Sequence, residues 1–261
     1  MTNSPQRLRK QERQTRILDE LKTAPAIRIS SLAKKFDVSD ETIRRDLDEL
    51  SAGGLLNRTY GGASVTPMSV EPALNERYHL LTEERAGIAC CAAQLVNPGE
   101  VLMLDAGSTV SHFAKQLAQI ATELTVITNN LGAIAALAAN PGIRIIVCPG
   151  NYDTREGGVF GPETTAFLQR FLANICFISA SGLTAQGPTE ANSGSAWVKR
   201  AMLEQAQRRI LLIDSSKYAR PGLEIVCPLG DLDDIVTDQM PPPALLKRLD
   251  LAAARVHIAP V

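Results

Sequence analysis

Five short polar stretches of this chain carry residue types that could hold an anion or a polyol. In Asp105-Ala106-Gly107-Ser108-Thr109, Gly107 permits a tight turn and Ser108 and Thr109 offer hydroxyls. A helix starting at that point presents free N–H groups, and the set suits a phosphate. Thr128-Asn129-Asn130 supplies neutral polar groups suited to sugar hydroxyls, and Asp214-Ser215-Ser216-Lys217 adds a positive charge at Lys217. Pro149-Gly150-Asn151-Tyr152 and Ala180-Ser181-Gly182 are the remaining two. A sixth group is of another kind: Thr42, Arg44 and Arg45 follow Ser39 closely enough to share a helix. Guanidinium groups bind guanine edges or phosphates, and threonine reaches a thymine methyl or a polar base edge.

Each strand-end stretch follows a short apolar run, and the runs alternate with helical periods from residue 82 onward. The expected strands are Val101–Leu104, Leu124–Thr128, Ile143–Cys148, Ile175–Ser179, Ile210–Ile213 and Ile235–Thr237, with alanine-rich helices such as 131–139 and 195–207 between them. Alternating βα units predict a mostly parallel sheet covered on both faces. Ligands of such sheets bind beyond the carboxyl ends of the strands, where the polar stretches fall.

The front of the chain reads differently. Residues 11–23 form a first helix through Ile17, Leu18 and Leu21, stopped at Pro25. A second helix begins at Ser30 as N-cap and carries Leu32, Ala33 and Phe36. Ser39 caps a third, with Asp40 and Glu41 in its first turn. Ile43, Leu47 and Leu50 fall on one inward face; Arg45 lies nearly opposite, with Thr42 and Arg44 on the flanks. Leu55–Tyr60 reads as a strand and Gly61-Gly62 as a turn, so a strand pair would form a wing with Arg58 and Tyr60 near a DNA backbone. Three helices and a wing make a winged helix-turn-helix. Asp46, Asp48 and Glu49 weigh against DNA contact along the whole third helix.

Charge supports the division. The 261 residues carry a formal net charge of −1. Residues 1–63 hold twelve Lys and Arg against nine Asp and Glu, net +3, and the remaining 198 hold fifteen against nineteen, net −4. A basic front on an acidic body points to an anionic partner for the front alone. The stretch 64–72 contains two prolines and no period, and marks a boundary. No apolar run approaches the ~18 residues of a membrane span, and no apolar stretch follows the basic N-terminus, so a cytoplasmic location is expected. The five cysteines form no CxxC pair and the three histidines are far apart, which argues against a metal site or a disulfide framework. The cysteines read as buried small hydrophobes.

SLAKKFDVSDETIRRDLDELSAGGLLNRTYGGA (31–63) resembles the DNA-binding domain of the DeoR family of bacterial transcriptional repressors, and VSDETIRRDL with the terminal GGA is specific to it. Glu71-Pro72 and Arg77 match that family's E-P-x-x-x-x-R pattern, and the resemblance continues to nearly the end of the chain. It implies that Ser39, Thr42, Arg44 and Arg45 face operator DNA with Arg58 in the wing. It also implies a sugar-phosphate sensor related in fold to ribose-5-phosphate isomerase and glucosamine-6-phosphate deaminase. The matching sensor residues are DAGST (105–109), TNN (128–130), SG (181–182) and DSSK (214–217). The chain departs from the family at Ser108, where Thr is usual, at Pro149-Gly150, where Gly-Gly is usual, and at Arg85, where Lys is usual.

The expectation is therefore an α/β protein of three parts: a winged helix-turn-helix at 1–63, a linker at 64–81, and an effector domain at 82–261. It would act without a cofactor as a homo-oligomer, dimer or tetramer, that a phosphorylated sugar releases from DNA. The expected effector residues are Asp105, Gly107, Ser108, Thr109, Thr128, Asn129, Asn130, Gly150, Ser181, Gly182 and Lys217. The competing expectation is a sugar-phosphate isomerase or deaminase carrying a DNA-binding domain. Such an enzyme needs a carboxylate base. Ser179-Ala180-Ser181-Gly182 contains no acid, which leaves Asp105 and Glu190 as the available acids.

Overall fold

The computed structural model describes residues 10–24, 26–52, 56–64 and 71–260. The chain divides into two compact units, 1–71 and 72–261.

In the first unit, α1 (Lys10–Thr23), β1 (Ala26–Arg28), α2 (Ile29–Phe36), α3 (Asp40–Ala52), β2 (Asn57–Thr59) and β3 (Gly62–Ser64) follow in order. Ile17, Leu21, Leu32, Phe36, Ile43, Leu47, Leu50 and Leu56 close a single small core. The i, i+4, i+7 stripe of α3 thus packs inward as its spacing requires. Two details differ from expectation. Ser30 lies inside α2, whose N-cap is Arg28 with no side-chain cap bond. Ahead of α2, β1 pairs with β3, so the wing is a three-stranded antiparallel sheet ordered β1-β3-β2. A three-residue strand between helices carries too little alternation to be read from sequence. Of the stretch expected as the strand Leu55–Tyr60, only Asn57–Thr59 is strand, and Leu55 lies outside the described residues.

The second unit opens with α4 (Leu74–Tyr78) and α5 (Thr82–Ala93), then β4 (Val101–Leu104), α6 (Ser108–Ile120), β5 (Leu124–Thr128), α7 (Leu131–Leu137) and β6 (Ile143–Val147). A hairpin, β7 (Asn151–Asp153) and β8 (Gly158–Phe160), precedes α8 (Pro162–Leu168) and β9 (Ala173–Ile178). Then come β10 (Gly182–Thr184), β11 (Gly187–Glu190), α9 (Ser193–Glu204), β12 (Ala206–Leu212), β13 (Glu224–Ile225), β14 (Asp234–Thr237), α10 (Pro243–Leu251) and β15 (Arg255–Ile258). The main sheet has seven strands in the order β15-β14-β12-β9-β4-β5-β6, every pair of them parallel. Alternate residues feed opposite faces. Leu102, Leu104, Ile175, Phe177, Ile210 and Leu212 pack under α5, α6 and α7 with Ile88, Phe113 and Leu137. Met103, Cys176, Ile178 and Leu211 pack on the other side with Val198, Met202 and Leu249 of α9 and α10. A sheet buried on both faces gives continuous apolar strands, which is why six of the seven were legible.

Residues 71–81, expected as part of the linker, contain α4, and Arg77 within it is buried. The other linker residues, 65–70, lie outside the described residues. Cys148, Cys176 and Cys227 are buried as expected, whereas Cys90 is exposed. Among the described residues no group of three or more His, Cys, Asp and Glu could hold a metal ion. No helix among them is long and apolar enough to cross a membrane.

One ion cluster ties the last strands together. Asp234, the first residue of β14, is fully buried and meets Arg208 Nε at 2.6 Å, Arg255 Nε at 3.0 Å and His257 Nε2 at 2.7 Å. Burial alone would raise this carboxyl, but the hydrogen bonds of Arg208 and His257 and the neighbouring positive charges hold it below its ordinary value. A depressed folded pKa contributes stability above the unfolded value of about 3.9 and loses it as pH falls through the folded one. Urea unfolding should therefore show Asp234→Asn weaker than wild type by about 1–3 kcal/mol at pH 7. The two proteins should converge between about pH 5 and pH 2. A constant gap across that range would mean the carboxylate charge is not what Arg208, Arg255 and His257 serve.

Candidate functional site

The chain runs from β4 through β5 to β6 on one side of the sheet, then crosses to β9, which lies on the other side of β4. The strand order reverses at β4/β9, and ligands of open parallel sheets bind in the crevice beyond such a point. The polar stretches meet there. Asp105 N–H donates to Phe177 C=O at 3.2 Å, and Ser179 N–H donates to Asp105 Oδ2 at 3.1 Å. A Cβ on Gly107 would collide with Ser179 Oγ, so glycine is what lets the two loops touch.

From Gly107 the chain enters α6. The first N–H groups of a helix have no intrahelical acceptor, and Gly107, the N-cap, has no side chain to offer one. Ser108 and Thr109 are buried, and neither hydroxyl has a hydrogen-bond partner among the described residues. Two acceptors nearby are likewise unmatched: Asp105 Oδ1 and Asn129 Oδ1 are buried without a hydrogen-bond partner among the described residues. They follow Leu104 and Thr128, which are partners in register, so they stand side by side at the ends of neighbouring strands. Hydroxyls, helix amides and bare acceptors together are chemically suited to a ligand bearing an anionic group and hydrogen-bond donors.

The other expected effector residues divide. Lys217 is buried and donates to Ala180 C=O at 2.7 Å, which brings its charge to the end of β9. Ser181 Oγ donates to Glu190 Oε2 at 3.0 Å and accepts from Ala191 N–H at 3.2 Å. Thr128 and Asn130 are bonded within the turns. Thr128 Oγ1 donates to Leu104 C=O at 2.7 Å and accepts from Asn130 N–H at 3.0 Å. Asn130 caps α7 through Ala133 N–H at 3.0 Å and donates to Asp105 C=O at 3.0 Å. Gly150 packs against Phe160 C=O and Thr164, and Gly182 lies in β10 against Arg220 C=O; both are glycines of close backbone approach.

Sequence reasoning missed Lys199. Its ammonium bonds to Asp105 Oδ2 and lies 3.4 Å from Glu190 Oε1, and all three side chains are buried. Desolvation would lower the lysine, but the charges of Asp105 and Glu190 and the Asp105 hydrogen bond outweigh it and raise it above its ordinary value. Burial pushes the Asp105 carboxyl up, opposed by Lys199 and by the Ser179 hydrogen bonds. A signal was available: Lys199 stands on the buried face of α9, among Ala196, Met202 and Leu203. A lysine on an apolar stripe needs a buried anion.

In the first unit the structure resolves the puzzle of the acidic third helix. Asp46 is buried in a two-pronged pair with Arg13 at 2.5 and 3.0 Å. Asp48 meets Arg58 Nε at 2.9 Å, and Glu49 meets Lys10 at 2.7 Å and Gln14 at 2.8 Å. All three acids are thus neutralised inside the unit. Ser39 Oγ accepts from Thr42 N–H at 3.2 Å and lies 2.9 Å from Thr42 Oγ1, so Ser39 is a helix cap. Arg58, besides Asp48, donates to Gly62 C=O at 3.1 Å and braces the wing. Arg44 and Arg45 remain exposed, 3.8 and 3.5 Å from Glu41, and Tyr60 stands fully exposed at the wing turn.

The DeoR-like helix-turn-helix domain matches residues 13–67, and the DeoR C terminal sensor domain matches residues 81–239. The chain belongs to the DeoR family. It is a DNA-binding transcriptional regulator with a sensor domain. The HTH-type transcriptional regulator YulB of Bacillus subtilis is 33 % identical over 252 residues, 96 % of this chain and 97 % of its own. The glycerol-3-phosphate regulon repressor of Escherichia coli is 30 % identical over 93 % of this chain and 96 % of its own. The L-fucose operon activator of Haemophilus influenzae is 36 % identical over 84 % and 88 %. Among solved structures, a ribose-5-phosphate isomerase in complex with phospho-erythronic acid aligns at a TM-score of 0.40 and 14 % identity. The alignment spans about half of each chain, 52 % of this one and 54 % of the isomerase.

Proposed function

We propose that the chain represses a carbohydrate-catabolism operon from the cytoplasm and is released from its operator by a phosphorylated sugar bound at the β4/β9 crevice. The observation that carries this reading is the α6 N-terminus with the buried Ser108 and Thr109 hydroxyls beside the oxygens of Asp105 and Asn129, which are unmatched among the described residues. A phosphate takes the amides and hydroxyls, Lys217 lends charge, and sugar hydroxyls donate to the two oxygens. Arg44, Arg45, Thr42 and Tyr60 meet the duplex, with Ser39 and Arg58 holding their frames. A dimer is the smallest assembly that reads a palindromic operator, and a tetramer fits the same requirement. The names of the relatives, two repressors or regulators and one activator, agree with regulation of sugar and polyol operons. Catalysis is disfavoured, because Asp105 and Glu190 are both ion-paired to Lys199 and the stretch Ser179-Ala180-Ser181-Gly182 at the end of β9 adds no further acid.

The test is a thermal-shift panel of sn-glycerol 3-phosphate, ribose 5-phosphate, fructose 6-phosphate and glucosamine 6-phosphate, each beside its unphosphorylated form. A ligand bound only to the native state raises its melting temperature. At least one phosphorylated member should do so and weaken DNA binding, while its partner does neither. Thr109→Val, which removes a hydroxyl with no partner among the described residues, should melt like wild type without ligand and bind that sugar phosphate roughly ten- to hundred-fold more weakly. Equal shifts from phosphorylated and unphosphorylated forms would remove the phosphate from the reading.

A further inference from the structure

The Glu71-Pro72…Arg77 pattern has no part in the crevice or in the DNA-binding surface, yet Arg77 is among the most heavily engaged side chains of the second unit. It is buried on α4, the first helix after the stretch that joins the two units. Its Nε donates to Pro72 C=O at 2.9 Å, and its Nη2 donates to Glu156 Oε2 at 2.8 Å. Its own carbonyl accepts a hydrogen bond from Arg85 Nη1, and Arg85 Nη2 lies 3.5 Å from Asp214 Oδ2.

Both ends of this chain of contacts reach the crevice. Glu156 sits in the β7–β8 turn, where Asp153 Oδ1 accepts from Arg155 N–H at 2.8 Å and Leu74 N–H of α4 donates to Arg155 C=O at 2.7 Å. The β8 strand is bonded twice to Asn129: Val159 N–H donates to Asn129 C=O at 2.9 Å, and Asn129 Nδ2 donates to Val159 C=O at 2.9 Å. A Cβ on Gly158 would collide with Ala106 of the phosphate turn. At the far end, Asp214 opens the loop that carries Lys217. Its Oδ1 accepts from Ser216 Oγ, and Ser215 donates to Asp238 through both N–H and Oγ, so the loop is tied to itself and to the end of β14. Two walls of the crevice, the Asn129–β8 wall and the 214–217 wall, therefore converge on one guanidinium and one carbonyl of α4. Tyr78 at the end of α4 also stacks on His112 of α6, with ring centroids 5.0 Å apart.

We propose that Arg77 is the positioning residue that couples the occupied crevice to the chain entering the DNA-binding unit. A ligand that draws the two walls together changes the spacing between Glu156 and Asp214, and Arg77 and Arg85, held to both, carry that change to Pro72. Coupling between two sites arises from such a difference in contacts between two states and from nothing else. This inference rests on the effector reading of the crevice and assigns its regulation.

The test uses the full-length chain, a duplex selected by that chain from random DNA, and the four sugar phosphates of the panel. Wild type should lose about ten-fold or more in DNA affinity with its preferred sugar phosphate, within the range typical of such coupling. Arg77→Gln should keep the ligand's thermal shift and keep ligand-free DNA affinity, while the ligand-induced loss falls below two-fold. Glu156→Gln, at a less buried position, should give the same split and serves if Arg77→Gln fails to fold. A full ligand response in the folded variants overturns the coupling role and leaves the effector site standing. Loss of the thermal shift in both variants overturns it too, because these residues would then serve binding. If none of the four sugar phosphates alters wild-type DNA binding, the effector reading and the coupling fall together.

Discussion

Lys199→Met is expected to lower the melting temperature of the second unit by roughly 6–20 °C at pH 7.5. The side chains are close in length, so the effect is one of charge. In wild type one buried ammonium faces two buried carboxylates, Asp105 and Glu190. Removing the cation strands both anions in a medium that cannot solvate them, a change that costs about 3–5 kcal/mol. In a unit of this size each kcal/mol moves the midpoint by roughly 2–4 °C. The pH dependence has a definite sign. Without Lys199, burial raises the folded pKa of the stranded carboxyls above their unfolded value. A group with a raised folded pKa contributes stability below its unfolded pKa and loses it as pH rises through the folded one. The deficit of Lys199→Met should therefore shrink between about pH 7.5 and pH 5, as the stranded carboxyls take up protons. Adding Asp105→Asn to the variant should recover part of the loss at pH 7.5. Melting curves over that pH range decide the matter. A deficit that does not change with pH would show that lost packing, not a stranded charge, is responsible.

The second large effect belongs to the recognition helix. Arg45→Ala should weaken binding to a selected duplex by about 1–3 kcal/mol, roughly five- to 150-fold. The free protein holds Arg45 only loosely, 3.5 Å from an exposed Glu41, so little of the folded unit depends on it and its melting temperature should not change. The salt dependence then tells what Arg45 touches. A phosphate contact lowers the slope of log affinity against log salt by about one and weakens all sequences alike. A base contact leaves the slope and relaxes preference at one position. Arg58→Ala separates a brace from a reader: with its guanidinium on Asp48 and Gly62 C=O, its loss should lower the stability of the first unit along with DNA affinity. Unaltered affinity and preference in Arg45→Ala would take that residue off the DNA.

The parts of this molecule visible in its sequence are those set by repetition. The apolar runs of a sheet buried on both faces, and the stripe Ile43, Leu47 and Leu50 of α3, repeat a simple pattern that the fold has to honour. The crevice was visible for a related reason, since parallel βα units place every strand-end loop on one side. What stayed hidden depends on partners distant in the chain. Nothing in the sequence shows that Asn130 and Thr128 donate to the carbonyls of Asp105 and Leu104. Lys199 finds Asp105 across 94 positions, and Arg77 finds Glu156 across 79. The acids of α3 look hostile to DNA until Arg13, Lys10 and Arg58 are seen to absorb them. The strands β10 and β13 are too brief for any period to show, and β11 and β15, as long as β4, carry Gly187-Pro188 and the polar Arg255 and His257 in place of an apolar run.

The place of β9 beside β4 has a consequence for the order of events as the chain is made. β4 ends at Leu104, but its second neighbour does not begin until Ala173. Until the ribosome has delivered that segment, Leu102, Met103 and Leu104 present an open apolar edge, the kind of surface on which nascent chains stick to one another. The first unit closes its core with residues 17–63 alone. The DNA-gripping part is thus complete while its controller is still a half-built sheet, and β4 keeps an open edge for roughly the seventy residues that separate it from β9.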